Sequence, residues 1–436
     1  SVEFISPCIF LCAVSSALLI DISQLRIGMY VQLDVGWLHH PFPVSRFRIV
    51  SASQIATLRE LGLSEVRYYP HKSDPALDAV VAKVPDVDDP ELAADPVVPA
   101  VIADSIAAQN RAHLQRQNQL LAACNQRFED ATRQYQAVER AVGAQPDLAR
   151  HHSEALVADC LKELLQNGDV VIRLLSEGVG ESSALHPVNV MVVSLLLGKA
   201  LGMKTPEMHQ LGMAALLHDL GKLNAPADAG LTPAARERYE AHVGHSVAFA
   251  QQMGLSDAVL TAIAQHHEMA DGSGFPLRLV GEDMGRAGQI LALVNHYDRM
   301  CNPVGSVEVL TPHEALSAIF AQLKSRFDPV VLGAFIRMMG VYPPGSVVQL
   351  VNDRYAIVVS VNSSRPLRPK VIVHDIRVPK DEAPVLDLEE MPELGIRRSL
   401  KPAQLPRDAL DYLSPRKRIC YFFERAVDPG SDKAQA

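Results

Sequence analysis

The rhythm of apolar and polar residues changes several times along the chain. Between about residues 20 and 70 the two classes alternate in short runs. Leu25 to Val31 (LRIGMYV) and Arg46 to Val50 (RFRIV) read as strands. Ser53 to Leu61 reads as a short helix behind an N-cap serine, and Val66 to Tyr69 as a closing strand. Residues 1–84 are therefore expected to form a small α+β module. Residues 85–99 (PDVDDPELAADPVVP) hold four prolines and five acids without a lysine or arginine, the composition of a solvated linker.

A long helix is expected over residues 101–142, where Leu114, Leu121, Phe128, Tyr135 and Val142 recur every seven residues. Ala131 and Val138 support a second seam, which Asn110 and Gln117 weaken. The spacing fits a helix packed on its own domain and a coiled coil joining two copies equally well. Residues 146–340 then follow a helical period. Its segments include Leu156–Leu165, Val188–Leu201, Glu207–Leu220, Arg236–Met253, Ala258–His267, Gly288–Met300, His313–Leu323 and Pro329–Met339. Gly202, Gly221 and Gly254 stand where helices should stop. After Tyr342-Pro343-Pro344-Gly345 the runs Ser346–Val351, Ala356–Val361 and Lys370–His374 are β-branched, predicting a small C-terminal β unit over 341–436. The expected fold is mainly α: an all-helical bundle between a small N-terminal α+β module and a small C-terminal β unit. A disordered tail is expected over the last dozen residues.

Composition narrows the function classes. The chain has 436 residues, 48% hydrophobic and 21% charged, which excludes a wholly disordered protein. Its formal charge of −9 argues against broad binding to nucleic acid or anionic lipid. The basic triplet Arg416-Lys417-Arg418 reads as solvated surface. Cys8, Cys12, Cys124, Cys160, Cys301 and Cys420 show no paired spacing and are expected to be reduced, in a cytoplasmic protein. The apolar run Phe4 to Ile20 lacks a basic flank. It reads as a buried strand or the product of a start placed too far upstream, not as an export signal, so stable membrane insertion is not expected.

The chemistry concentrates in histidine. Of 16 histidines, His186, His209, His218, His242, His245, His266, His267 and His296 fall within residues 186–298. One buried histidine is usually a satisfied core residue; eight on successive helices each need partners for two ring nitrogens. Leu216-Leu217-His218-Asp219-Leu220-Gly221-Lys222 places an imidazole and a carboxylate at the end of an apolar helix, with Lys222 near the same face. That pair suits a divalent transition metal, and a carboxylate can bridge two ions. His266-His267-Glu268-Met269-Ala270-Asp271-Gly272-Ser273-Gly274-Phe275-Pro276 puts tandem histidines before a tight turn suited to lining a pocket. Glu268 and Asp271 read either as supports of metal ligands or as turn formers.

His-Asp followed by Gly-Lys, then His-His-Glu and Asp-Gly-Ser-Gly-Phe-Pro, resembles the HD-GYP subfamily of HD-domain phosphohydrolases over about residues 146–340. Residues 20 to 75 resemble the small uncharacterised domain that often precedes it. The resemblance implies a helical bundle that hydrolyses cyclic-di-GMP to pGpG, GMP or both with iron or manganese. It implies metal ligands at His186, His218, Asp219, His242, His266, His267 and Asp298, with His245 as a fallback for His242 and Asp219 as the bridge. It implies that Lys222 contacts substrate phosphate, beside Gly274, Phe275, Pro276 and Arg299. His218, Asp219 and Lys222 are the expected catalytic group.

Three departures qualify it. The glutamate of three-metal members is replaced by Ser182, with Glu181 one place off, so two metals are expected. Phe275 stands where the signature has tyrosine. The basic, aromatic stretch after Asp298 reads RMCNPVGSVEV, with Arg299 its only basic residue. A weakly active receptor or adaptor for the dinucleotide, and an HD hydrolase of another nucleotide, are the competing expectations. The long helix over 101–142 offers homodimerisation, and unidentified signalling partners are the other expected association.

Overall fold

The structure, a computed structural model, describes residues 17–33, 46–60, 63–74, 100–166, 168–180, 183–224, 232–304, 308–362, 365, 368–391 and 394–425. The expectations for the apolar run before residue 17, for the 85–99 linker, for Glu181 and Ser182 and for the last residues lie outside them. Two compact units divide the chain. One comprises residues up to Arg116 with Ile376–Glu382; the other comprises Gln117–Asp375 and Ala383 onward.

The first unit holds an antiparallel sheet of β1 (Leu18–Asp21), β2 (Tyr30–Gln32), β3 (Arg46–Arg48) and β4 (Glu65–Tyr68), in the order β1-β4-β2-β3. Helix α1 (Ala52–Glu60) lies between β3 and β4 in sequence. Alternation decides the pairing: Ile20, Val31, Phe47, Val66 and Tyr68 are buried while their strand neighbours face out. The strand expected from Leu25 begins only at Tyr30, because Gly28 turns the chain with φ of 94°.

Helix α2 (Ala100–Ala141) matches the expected long helix. Its second half packs on the second unit: Phe128, Ala131, Tyr135 and Val138, with Val142 just beyond the helix, are buried in that unit's core. Among the described residues the bundle continues with α3 (Pro146–Leu164), α4 (Leu185–Ala200), α5 (Thr205–Leu217), α6 (Pro233–Gln252), α7 (Asp257–Ala264), α8 (Arg286–Cys301), α9 (Pro312–Gln322) and α10 (Pro329–Met339). Proline opens α3, α6, α9 and α10, where its missing N–H costs nothing. Thr232, Thr311 and Asp328 cap α6, α9 and α10. Helix α4 is apolar almost all round, with 13 of its 16 residues buried, so it is the central rod against which α5 and α8 pack.

Gly202 and Gly254 end their helices in the left-handed region, as expected. Gly221 does something else. It lies in a 3-10 turn, Leu220–Asn224, that presses on α6, and a Cβ there would sit 2.0 Å from the His242 carbonyl oxygen.

The C-terminal strands do not form a separate unit. β5 (Val170–Leu174), inside the helical stretch, pairs with β7 (Tyr355–Asn362) and β11 (Tyr421–Arg425). With β6 (Val347–Leu350) and β10 (Ile396–Leu400) they run in the order β10-β6-β7-β5-β11. β8 (Lys370–Val373) and β9 (Val385–Asp387) extend the sheet from β7, and α11 (Arg407–Leu413) precedes β11. β5 escaped the sequence reading because its five residues are all buried, so a run of VVIRL carries no alternation. Among the described residues no helix is long and apolar enough to cross a membrane. Cys124, Cys160, Cys301 and Cys420 are buried and free of disulfides.

Candidate metal centre

Four elements of the second unit bring the site together. His186 stands in the first turn of α4, and His218 and Asp219 follow the end of α5. His242 lies in α6, and His266 and His267 follow α7. His218, His242 and His266 are fully buried, Asp219 and His267 nearly so, and His186 is half-buried.

The tautomers follow from the backbone. Nδ1 of His218, His242 and His266 each lies 2.5–2.7 Å from the carbonyl oxygen three residues earlier, of Ala215, Tyr239 and Ile263. A carbonyl only accepts, so each Nδ1 carries the proton and each Nε2 presents a lone pair inward. Those lone pairs converge: His242 Nε2 is 3.2 Å from His266 Nε2, and His218 Nε2 is 3.2 Å from His186 Nε2. The unprotonated nitrogens of His242 and His266, facing each other, have no hydrogen bond to make, but a cation between them satisfies both.

Asp219 joins the two pairs. Its Oδ1 lies 3.4 Å from His242 and 3.7 Å from His266; its Oδ2 lies 3.4 Å from His186 and 3.5 Å from His218. Two donor groups result, Asp219 with His242, His266 and His267, and Asp219 with His186 and His218, each with ligand atoms within 4.8 Å of one another. Asp219 Oδ1 and His267 Nε2 are buried with no hydrogen-bond partner. Neutral imidazoles, a bridging carboxylate and orphaned buried acceptors fit a divalent metal.

The electrostatics agree. Burial drives His218 and His267 well below the ordinary histidine value, and His266 below it, which keeps them neutral. Burial pushes Asp219 up, but His218, Lys222 and the surrounding imidazoles outweigh it and hold the carboxyl well below its usual range. Burial also lowers His186, yet hydrogen bonds to Asp219 and Asp298 win and raise it. Burial lowers Lys222, whose ammonium pairs with Asp219 Oδ2.

Asp298, the last of the expected ligands, stands at the edge of the cluster. It belongs to neither donor group; its Oδ2 meets Nδ1 of His186 and so turns that ring inward. Asn189 and Asn302 donate to its Oδ1. The expected pocket loop is held from inside. Glu268 accepts from the backbone of Leu277 and Leu279 at 2.6 and 2.9 Å, and Asp271 Oδ1 accepts from Ser273, so both act as loop formers. A Cβ on Gly274 would meet Met269 N at 2.4 Å, so only glycine lets the loop fold back on itself. Phe275 stacks on His267. His245, with Nδ1 buried and unpartnered, belongs to neither donor group, nor do His209 and His296.

Two cavities flank the cluster. One of about 310 Å³ opens on His186, Asp219 and Lys222; the other of about 410 Å³ opens on His266, His267 and Phe275. Arg299 lines both. Sequence reasoning missed Tyr239, whose ring packs on His242 at 4.8 Å and lies under Lys222 and Arg299. It also missed Asn189, though a lone polar residue three after His186 in an apolar helix was a readable signal.

Residues 118–331 match the HD domain family, and residues 18–152 match a domain of unknown function, DUF3391. The chain is 27% identical over 369 residues to a cyclic di-GMP phosphodiesterase of Pseudomonas aeruginosa, covering 81% of this chain and 84% of that one. It is 30% identical over 152 residues to the cyclic di-GMP phosphodiesterase response regulator RpfG of Xanthomonas campestris, covering 33% of this chain and 40% of that one. A solved structure of an HDG"Y"P protein from Bdellovibrio bacteriovorus aligns with a TM-score of 0.40 at 14% identity, over 73% of this chain and 98% of that one. The donor cluster falls wholly inside residues 118–331, so the stretch that carries it is an HD domain, with the DUF3391 match ahead of it and overlapping its start.

Proposed function

We propose that this chain hydrolyses cyclic-di-GMP, opening it to pGpG and onward to GMP, at a dinuclear centre of iron or manganese. The observation that carries the reading is Asp219, whose two oxygens face two different histidine pairs. The relative matched over 84% of its length is a cyclic di-GMP phosphodiesterase, which favours this dinucleotide among phosphodiesters.

In this reading His242, His266 and His267 hold one ion, His186 and His218 the other, and Asp219 both. Two such ions, when bound, supply charge neutralisation at the phosphate and a water of lowered pKa. The chain does the rest. Carbonyl-tied Nδ1 protons keep three imidazoles aimed inward, and Asp298 does the same for His186. Lys222, beside Asp219 in the cavity wall, meets charge building on a non-bridging phosphate oxygen. Arg299, with Nη1 buried and unpartnered and its guanidinium over Tyr239, offers a fixed donor to the same anion. Catalysis is assigned to residues 146–340, and control to the module within residues 1–84 and to α2, which also offers a homodimer contact.

The test is an assay of purified, metal-replete protein on cyclic-di-GMP, with products separated by chromatography. Formation of pGpG by the wild type, abolished in His218→Ala and Asp219→Ala, is the expected result. Binding without turnover would leave a receptor, and preference for another nucleotide would reassign the substrate.

A further inference from the structure

The basic triplet near the C-terminus is not one solvated patch. Arg416 is turned inward, donating from Nε to the Leu175 carbonyl at 3.1 Å and from Nη1 to that of Ser414 at 2.9 Å. The Lys417 amide donates to Glu177. Arg418 lines the 310 Å³ cavity with His186, Asp219 and Lys222.

Its backbone is fixed to the site itself. The Ile419 amide donates to Asn302 Oδ1 at 2.8 Å, and its carbonyl accepts from Asn302 and Asn189 at 2.8 and 3.3 Å. The Tyr421 amide donates to Asn189 Oδ1 at 2.7 Å. These asparagines are the pair that hold Asp298 against His186. One network thus positions a histidine of the cluster and the start of β11, and Arg418 immediately precedes it.

The cavity has a charge problem that Arg418 solves. A cyclic dinucleotide carries two phosphodiesters, each with one negative charge. Only one of them can lie at Asp219. Lys222 is committed to that side by its ion pair. Arg299, which lines both cavities, is already assigned to the anion at Asp219. The stretch after Asp298 brings no further cation, and Val304 stands in the wall where charge would be useful. Arg418 is exposed where it lines the cavity. A guanidinium presents a planar fork of donors that matches a phosphate.

We propose that Arg418, contributed by a segment outside residues 118–331, binds the phosphodiester of the cyclic dinucleotide that is not being cleaved. The inference rests on the functional reading above and adds a specificity residue to it. Arg418 makes the cavity select a substrate with two phosphates over one with a single diester.

The full-length, metal-replete protein and its Arg418→Ala, Arg418→Lys and Lys417→Ala variants decide it. The readouts are the Kd for cyclic-di-GMP by calorimetry, and kcat and KM on cyclic-di-GMP and on bis(p-nitrophenyl) phosphate, which carries one diester. R418A is expected to raise Kd and KM for the dinucleotide about tenfold, with kcat little changed, and to lose far less on the single diester. R418K should recover part of the loss, and K417A, outside the cavity, should match the wild type. An R418A variant equal to the wild type on cyclic-di-GMP overturns the proposal. So does an equal loss on both substrates, which is the signature of a structural defect. A wild type that neither binds nor cleaves cyclic-di-GMP fails the functional reading and the proposal with it. Turnover by the wild type with R418A unmoved fails the proposal alone.

Discussion

Phe275 lies flat on the imidazole of His267, with ring centroids 4.4 Å apart and planes 19° from parallel. Tyr239 meets the same imidazole at 6.1 Å, so His267 is held between aromatic neighbours while its Nε2 is left free. The resemblance implies a tyrosine at this position, and phenylalanine keeps the ring face that steadies the imidazole without a hydroxyl. Phe275→Ala should therefore release His267 and weaken metal binding about tenfold, the usual cost of losing a group that orients a ligand. Phe275→Tyr should retain wild-type affinity. A competition titration against a chromophoric chelator reads both.

Asp298 predicts a more selective loss. It touches the cluster at His186 Nδ1, and it is steadied by Asn189 and Asn302. Asp298→Asn keeps the shape of the side chain and removes the carboxylate that fixes the ring. The group of Asp219, His242, His266 and His267 does not depend on it. Elemental analysis should show the metal content of this variant falling from about two equivalents toward about one. Loss of both ions together would make Asp298 a ligand shared across the centre.

The helices were legible because they carry a helical period, several with proline or a capping residue at the start, as at Thr311-Pro312 and Asp328-Pro329. Much of the donor cluster could be picked out because its pairs are local: His218-Asp219 and His266-His267 are adjacent in sequence. What escaped depends on distant pairing. β5 is unreadable without β7 and β11, since buried strands lose their alternation. For the same reason Arg418 read as surface: its place in the cavity comes from Asn189 and Asn302 gripping Ile419, across separations of 230 and 117 residues. The heptad of α2 left two packings open, and burial of Phe128 and Tyr135 in the second unit accounts for its C-terminal half.

Two glycines near His242 should respond in opposite ways. A Cβ on Gly221 would stand 2.0 Å from the His242 carbonyl oxygen and 2.6 Å from the Ser246 amide, both backbone atoms that cannot rotate aside. Gly221→Ala must push α6 away from the turn that carries Asp219 and Lys222, and should cost about 3 kcal/mol or more. Gly244 is on the exposed face of α6, where a Cβ would meet nothing within 4 Å. Gly244→Ala should stabilise the helix by about 0.5–1 kcal/mol. Urea unfolding of the two variants checks the contrast, and only G221A should lose activity.

Acid should destabilise the protein when it is stripped of metal. Burial depresses the folded-state values of His218, His266 and His267 below the ordinary 6.5. In the unfolded chain these rings take up protons near that value; in the folded one they resist. Their contribution to stability is complete above 6.5 and is lost as pH falls from there toward the folded values. His186 has the opposite sign. Its value is raised, because Asp219 and Asp298 outweigh burial, so its contribution is complete below 6.5 and fades as pH rises through the folded value. Asp219, held below its usual range, changes only in stronger acid. Three depressed histidines against one raised leave a net loss on acidification. The unfolding midpoint in the presence of chelator should drop by several degrees between about pH 7.5 and about pH 5.5. Replacing His218 with asparagine, which cannot titrate, should flatten that slope, and a midpoint that rises on acidification would contradict the neutral, inward-facing imidazoles.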